Sequence, residues 1–162
     1  MLLLLCWLPC FIALFPGGFS YDVSAGFNQQ FEIYLRPFPR LHSVLLIGCL
    51  NASHGLFGSY NVGIACYAIV QMILFSLLFA DMLGVLWEKR LHMILFLFLA
   101  GYCAFFPVIH LTVTHIGRDT LFAGLLTYLA FLLFRMSTER EKFFASLRGP
   151  ALLGFVLSLS LL

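Results

Sequence analysis

Charge is scarce in this sequence. Asp, Glu, Lys and Arg fill 10% of its 162 positions, whereas a water-soluble chain needs roughly a quarter to cover its outside. That shortage excludes an ordinary soluble domain and, with hydrophobic residues at 62%, predicts an integral membrane protein. No run of Lys and Arg is present to follow a phosphate backbone. The net charge of +2 is scattered, which argues against nucleic acid as a partner. The five cysteines, Cys6, Cys10, Cys49, Cys66 and Cys103, lie in apolar stretches without metal-ligand or disulfide-framework spacing. They read as small packing residues. No segment carries the glycine pattern of a dinucleotide site.

What is present is a long polar interval in an otherwise apolar chain. Residues 16–40, PGGFSYDVSAGFNQQFEIYLRPFPR, hold Asp22, Asn28, Gln29, Gln30, Glu32, Arg36 and Arg40. The turn residues Pro16, Gly17 and Gly18 set Asp22 just above a membrane surface. Residues 2–15 before it are apolar but short of the ~20 residues that a span requires. A signal peptide competes for this stretch, yet a basic leader and a small-x-small cleavage site are missing. A crossing helix whose cytoplasmic half is cut off accounts for the same residues.

Residues 41–57 contain one continuous apolar core, 44–50, followed at once by Asn51, Ser53 and His54. Polar groups cost several kcal/mol against lipid, so an interfacial helix is expected here rather than a span. Gly58 to Asn61 marks a turn, with Ser59 or Asn61 as the cap of the next helix. Three spans follow, at 60–86, 91–109 and about 121–134, and an apolar run at 151–162 closes the chain. Gln71 in mid-span is expected to bond a neighbouring helix. Asp81 is expected near enough to the interface to pair or hydrate.

The predicted class is all-α. It is a polytopic helical membrane protein with about five crossing helices, the first and last clipped, and one or two interfacial helices in the first external loop. Residues 1–162 read as one membrane-embedded module, the N-terminal fragment of a longer protein whose missing C-terminal helices are its partners. If 41–57 does not cross, Lys89, Arg90, Arg135, Arg140, Lys142 and Arg148 face Arg36, Arg40 and Arg118 across the bilayer. The larger group marks the cytoplasmic side, leaving Asp22 and Asp119 non-cytoplasmic. If 41–57 does cross, the imbalance grows and the two aspartates part. The short apolar core favours the first topology.

Several short motifs carry a resemblance. They are Phe15-Pro16-Gly17 with Tyr21-Asp22, Phe38-Pro39-Arg40-Leu41-His42-Ser43 before an apolar run, Phe57-Gly58-Ser59 leading to Gln71-Met72, and Arg118-Asp119 with Leu121-Phe122. In this order they resemble the N-terminal module of the GT-C superfamily of membrane glycosyltransferases, and more closely a related bacterial multi-pass family. The resemblance implies a cell-membrane enzyme that moves a sugar from a polyprenyl-phosphate donor to an acceptor on the non-cytoplasmic face. It implies an acidic residue at the reaction centre, matched by Asp22, and a second acidic site, matched by Asp119. The family often shows His-Pro-x-x-His-Thr; here Phe38 replaces the first histidine, which leaves His42 as the remaining candidate of that motif.

Such a transfer needs a base for the acceptor hydroxyl and cations for the departing phosphate. Asp22 is the candidate base, shielded by Phe19, Tyr21 and Phe27. Arg36, Arg40 and Arg118 are candidates for donor phosphate, because a guanidinium forms paired hydrogen bonds to phosphate oxygens. The structural reading of the same residues stays open: Asp22 caps an interfacial helix and the arginines anchor helices at the headgroups. A divalent metal is compatible with the chemistry, but no spacing indicates one. His110, His115 and Asp119 do not stack on one helical face. The competing class is a non-catalytic bundle, a transporter or lipid handler, which should show polar or Gly/Pro-broken segments at midplane.

Overall fold

The computed structural model describes residues 2–19, 40–145 and 147–161; for 19, 40, 41, 43, 118, 142, 160 and 161 the description is of the backbone alone. In chain order the elements are α1 (Leu2–Ala13), β1 (Gly18–Phe19), α2 (Arg40–Phe57), α3 (Tyr60–Glu88), α4 (Met93–Phe105), α5 (Pro107–Thr114), β2 (His115–Ile116), α6 (Arg118–Thr138), α7 (Arg140–Ala145) and α8 (Arg148–Leu161). Among the described residues the chain is helical apart from one short parallel pairing, Gly18 with His115 and Phe19 with Ile116.

The architecture is organised on α3. Its sequence is apolar on every side, which marks a helix buried from more than one direction. One face, with Ile64, Ala65, Tyr67, Ala68, Met72 and Phe75, packs in a core with Leu3, Trp7 and Phe11 of α1, Leu46 and Leu50 of α2, and Val113 and Ile116. Another, with Leu74, Leu78 and Met82, meets a second core built from Leu121, Leu125, Tyr128 and Leu132 of α6, Phe143, and Val156 of α8. Phe75 lies under Gly124, Asp81 bonds Tyr128, and Lys89 pairs with Glu139. These partners rise in step, so α3 and α6 run in the same direction, with α4 and α5 as the return.

Among the described residues, two helices are long and apolar enough to cross a membrane, α3 and the Asp119–Thr138 part of α6. A third joins them if α4 and α5, bent by 46°, form one broken span. The five expected crossings therefore reduce to two or three by length and composition. The segment at 91–109 is not the straight span expected, and proline is the reason. Pro107 has no N–H to donate and pushes Phe106 to an extended backbone, φ −70 and ψ 120, at which α4 stops and α5 begins with the proline in its first turn. At 12 and 14 residues, α1 and α8 are shorter apolar helices.

Residues 41–57 do form one helix, and it is tied closely to the start of α3. A Cβ placed on Gly63 would stand 2.8 Å from the Leu50 Cα and 2.9 Å from the Cys49 carbonyl oxygen. The two backbones therefore touch at a position that only glycine fills without displacement. His54 stacks on Tyr60 across the turn, with ring centroids 4.4 Å apart. Ser59 occupies the N-cap of α3 as expected, but its side chain makes no capping hydrogen bond.

Candidate functional site

The site is built where α1 and α5 end. After α1 the chain turns through Leu14 to Pro16, and the Gly17 N–H bonds the Leu14 carbonyl at 2.8 Å. It then extends along His115–Ile116. The His115 imidazole covers Gly18 so closely that a Cβ there would sit 2.7 Å from Nδ1. A larger residue at 18 would have to displace that ring. Ile116 is fully buried, as are Val113 and Thr114, so the junction is held by packing from below.

Gln71 fastens the junction to α3. Its Nε2 donates to the Val113 carbonyl at 2.8 Å and to the His115 carbonyl at 3.0 Å. These oxygens belong to the C-terminal end of α5, where helical carbonyls lack partners within the helix. Gln71 is 2% exposed, and its Oε1 has no hydrogen-bond partner among the described residues. Trp7 Nε1 donates to the Cys103 carbonyl at 3.1 Å and anchors α1 to α4. Thr114 Oγ1 donates back to the His110 carbonyl at 2.8 Å. Each interior polar side chain named here serves the backbone ends of a neighbouring turn, as an apolar surrounding demands.

Because the pairing is parallel, both chains leave it at the same end. One proceeds from Phe19 into the polar interval; the other proceeds through Gly117 into the first turn of α6. Asp22 and Arg36 lie outside the described residues, as does Glu32. Arg118 is the first residue of α6, and Asp119, itself exposed, follows in the first turn, where the helix dipole favours a carboxylate. Arg40 is the first residue of α2.

His42, the remaining candidate of its motif, lies in the first turn of α2. It is buried, with Nδ1 2.7 Å from the Tyr67 hydroxyl and the two rings edge to face. In this position it fixes α2 on α3. His110 Nε2 bonds the Ala104 carbonyl across the Pro107 bend. Among the described residues, no group of three His, Cys, Asp or Glu side chains is placed to hold a metal ion. The cysteines are all free thiols.

Asp81 is half-buried and finds a partner on the neighbouring helix. Tyr128 Oη donates to its Oδ2 at 2.8 Å, joining α3 to α6. At the far end, Glu139 Oε1 stands 3.4 Å from Lys89 Nζ and its Oε2 3.6 Å from Arg135 Nε, while Lys89 also donates to Thr138 Oγ1 at 3.2 Å. The basic turn after α3 and the basic turn after α6 therefore share one end of the bundle. The β1–β2 junction forms the other.

Fold and site together define an all-helical protein with two to three helices able to cross a membrane. Comparison with known proteins finds no family model, no curated protein and no solved structure that matches the chain.

Proposed function

We propose that the chain is a membrane module of a GT-C-like glycosyltransferase, with α1 and α8 lying beside the longer helices to give five crossing segments. The observation that supports this reading is the parallel β1–β2 pairing. It joins the head of the polar interval that carries Asp22 to the helix start that carries Arg118 and Asp119. Two stretches far apart in sequence thus open from one end of the bundle, at the boundary where a lipid tail and a sugar would separate.

In the proposed reaction the Asp22 carboxylate takes the proton of an acceptor hydroxyl. The hydroxyl oxygen attacks the anomeric carbon, the bond from that carbon to the phosphate oxygen breaks, and polyprenyl phosphate departs with the electron pair. Arg36, Arg40 and Arg118 neutralise the departing phosphate, and Asp119 is the second acidic site. His42 acts through the placement of α2. The positive-inside rule puts this end on the non-cytoplasmic face, since Lys89, Arg90, Arg135, Arg140 and Arg148 gather at the opposite one.

The test is sugar transfer from a polyprenyl-phosphate donor in reconstituted vesicles, with the variants made in the full-length natural protein. Asp22→Asn keeps the shape and removes proton acceptance, so transfer should fall by roughly a hundredfold or more. Arg118→Lys should lose part of the activity with the bidentate geometry. Glu32→Gln is the control and should leave transfer nearly intact. Undiminished transfer in Asp22→Asn would transfer the weight to the non-catalytic class.

A further inference from the structure

The end of the bundle opposite the β1–β2 junction carries more positive charge than its own acids engage. Six basic residues, Lys89, Arg90, Arg135, Arg140, Lys142 and Arg148, belong to its turns, against Glu88, Glu139 and Glu141. Glu139 takes up both Lys89 and Arg135. Arg90, Arg140 and Arg148 are exposed, and none makes an ion pair with a described residue. The turns that carry the three adjoin one another. Arg90 adjoins Lys89 and Arg140 adjoins Glu139, the two members of the 3.4 Å pair. Arg148 precedes Gly149, whose backbone abuts Phe143 so tightly that a Cβ would lie 2.6 Å from the Phe143 carbonyl oxygen.

A second observation is independent of charge. Arg90 has φ +53, in the left-handed region where glycine is the usual residue, and its N–H closes α3 on the Trp87 carbonyl at 3.0 Å. An exposed arginine thus occupies a helix-end position where glycine is usual. A third observation fixes the surroundings. Trp87, Phe144 and Leu147 lie in the same turns and are 57%, 55% and 88% exposed. Exposed aromatic and aliphatic side chains interleaved with guanidiniums describe a ring at the boundary between acyl chains and headgroups.

From charge, backbone and apolar rim together we propose that this end is a docking surface for anionic phospholipid. Arg90, Arg140 and Arg148 hold the headgroup phosphate through paired N–H to oxygen bonds, and Trp87, Phe144 and Leu147 seat against the acyl chains. The apolar rim is what selects a membrane lipid over a free anion, which would gain nothing from it. The surface lies at the end away from the proposed reaction and does not depend on it.

The experiment is native mass spectrometry of the full chain in detergent, titrated with phosphatidylglycerol or phosphatidylcholine of the same acyl length. Retention of phosphatidylglycerol should exceed that of phosphatidylcholine by tenfold or more. Each change among Arg90→Gln, Arg140→Gln and Arg148→Gln should lower it about fivefold. Arg140→Lys and Arg148→Lys keep the charge without the fork and should give intermediate retention. These sites are exposed, so helicity by circular dichroism should not move. A second arm adds glycerol phosphate, which shares the headgroup chemistry without the chains, and should displace the lipid only at far higher concentration. Equal retention of the two lipids, wild-type preference in the triple glutamine variant, or displacement by glycerol phosphate at lipid-like concentration would each overturn the assignment.

Discussion

Replacing Gln71 by leucine isolates the link between α3 and the β1–β2 junction. The side chains are similar in volume, so packing changes little and the hydrogen bonds change fully. Two are lost, to the Val113 and His115 carbonyls. Hydrogen bonds between membrane helices average about 0.6 kcal/mol and reach about 1.7, so the pair contributes about 1.2 to 3.4 kcal/mol. The buried, unpartnered Oε1 works against that sum, because its removal returns a desolvation cost of about 1 kcal/mol. The net loss is about 0.2 to 2.4 kcal/mol with a midpoint of about 1.3, or roughly tenfold in local opening. Hydrogen exchange read by mass spectrometry should show that loss in peptides covering 113–119, while those around the Lys89–Glu139 pair hold their protection. Gln71→Glu puts an acceptor where two carbonyls need a donor and should lose more than leucine does. Unchanged protection in Gln71→Leu, or a glutamate variant better protected than the leucine one, would refute the role given to this amide.

At Gly63, an added methyl meets backbone rather than a movable side chain, so Gly63→Ala should cost about 1 to 3 kcal/mol and lower the thermal midpoint in detergent; an unchanged midpoint would mean that α2 and α3 do not touch there. Tyr128→Phe removes the hydrogen bond to Asp81 and should cost about 0.6 to 1.7 kcal/mol by the same measurement, less once Asp81→Asn is already present. For topology, single cysteines replacing Asp119 and Thr138 in a background without the native five should label from opposite sides of the membrane, Asp119→Cys from outside intact cells. Labelling of both from one side would contradict the proposed orientation. Thr120 is a poor reporter because it is buried.

Much of the helical layout was legible because hydrophobic runs and their breaks are local signals. The start of α3 at Tyr60 follows from the glycine and serine before it, and the bonding of mid-span Gln71 to a neighbouring helix follows from the cost of leaving an amide in lipid. The bend at Phe106 was within reach too, since Pro107 was in plain view, but a long apolar run drew the reading toward a single span. Other features depend on residues distant in sequence. The β1–β2 pairing spans two residues on each side, too short for any alternation to register. His42 carries a motif resemblance that points to chemistry, yet its partner Tyr67 is an unremarkable helix residue until the fold brings them together. Asp81 is the same case with Tyr128. The turn glycines Gly17 and Gly18 were read as a bend that lifts Asp22; Gly18 has the further task of admitting the His115 ring.

The distance between the two polar ends bears on where residues 41–57 belong. From Gln71, bonded at the junction, to Glu88 at the basic end is about 27 Å of helix, at 1.5 Å per residue. The 21 residues of α6 run from the junction to the same basic end over about 32 Å. Both lengths match a hydrocarbon core of about 30 Å. α3 has 29 residues, so its portion before Gln71 extends about 16 Å beyond the junction. That portion is the part on which α2 packs, through Gly63 and Tyr67. The outer surface of this hairpin exposes Val44, Leu45, Leu56 and Phe57 together with Asn51 and His54. Such a face is too apolar for water and too polar for acyl chains, and it suits the headgroup layer. A hairpin held there extends beyond the level at which α6 begins, on the side of the bundle away from the Lys89–Glu139 pair.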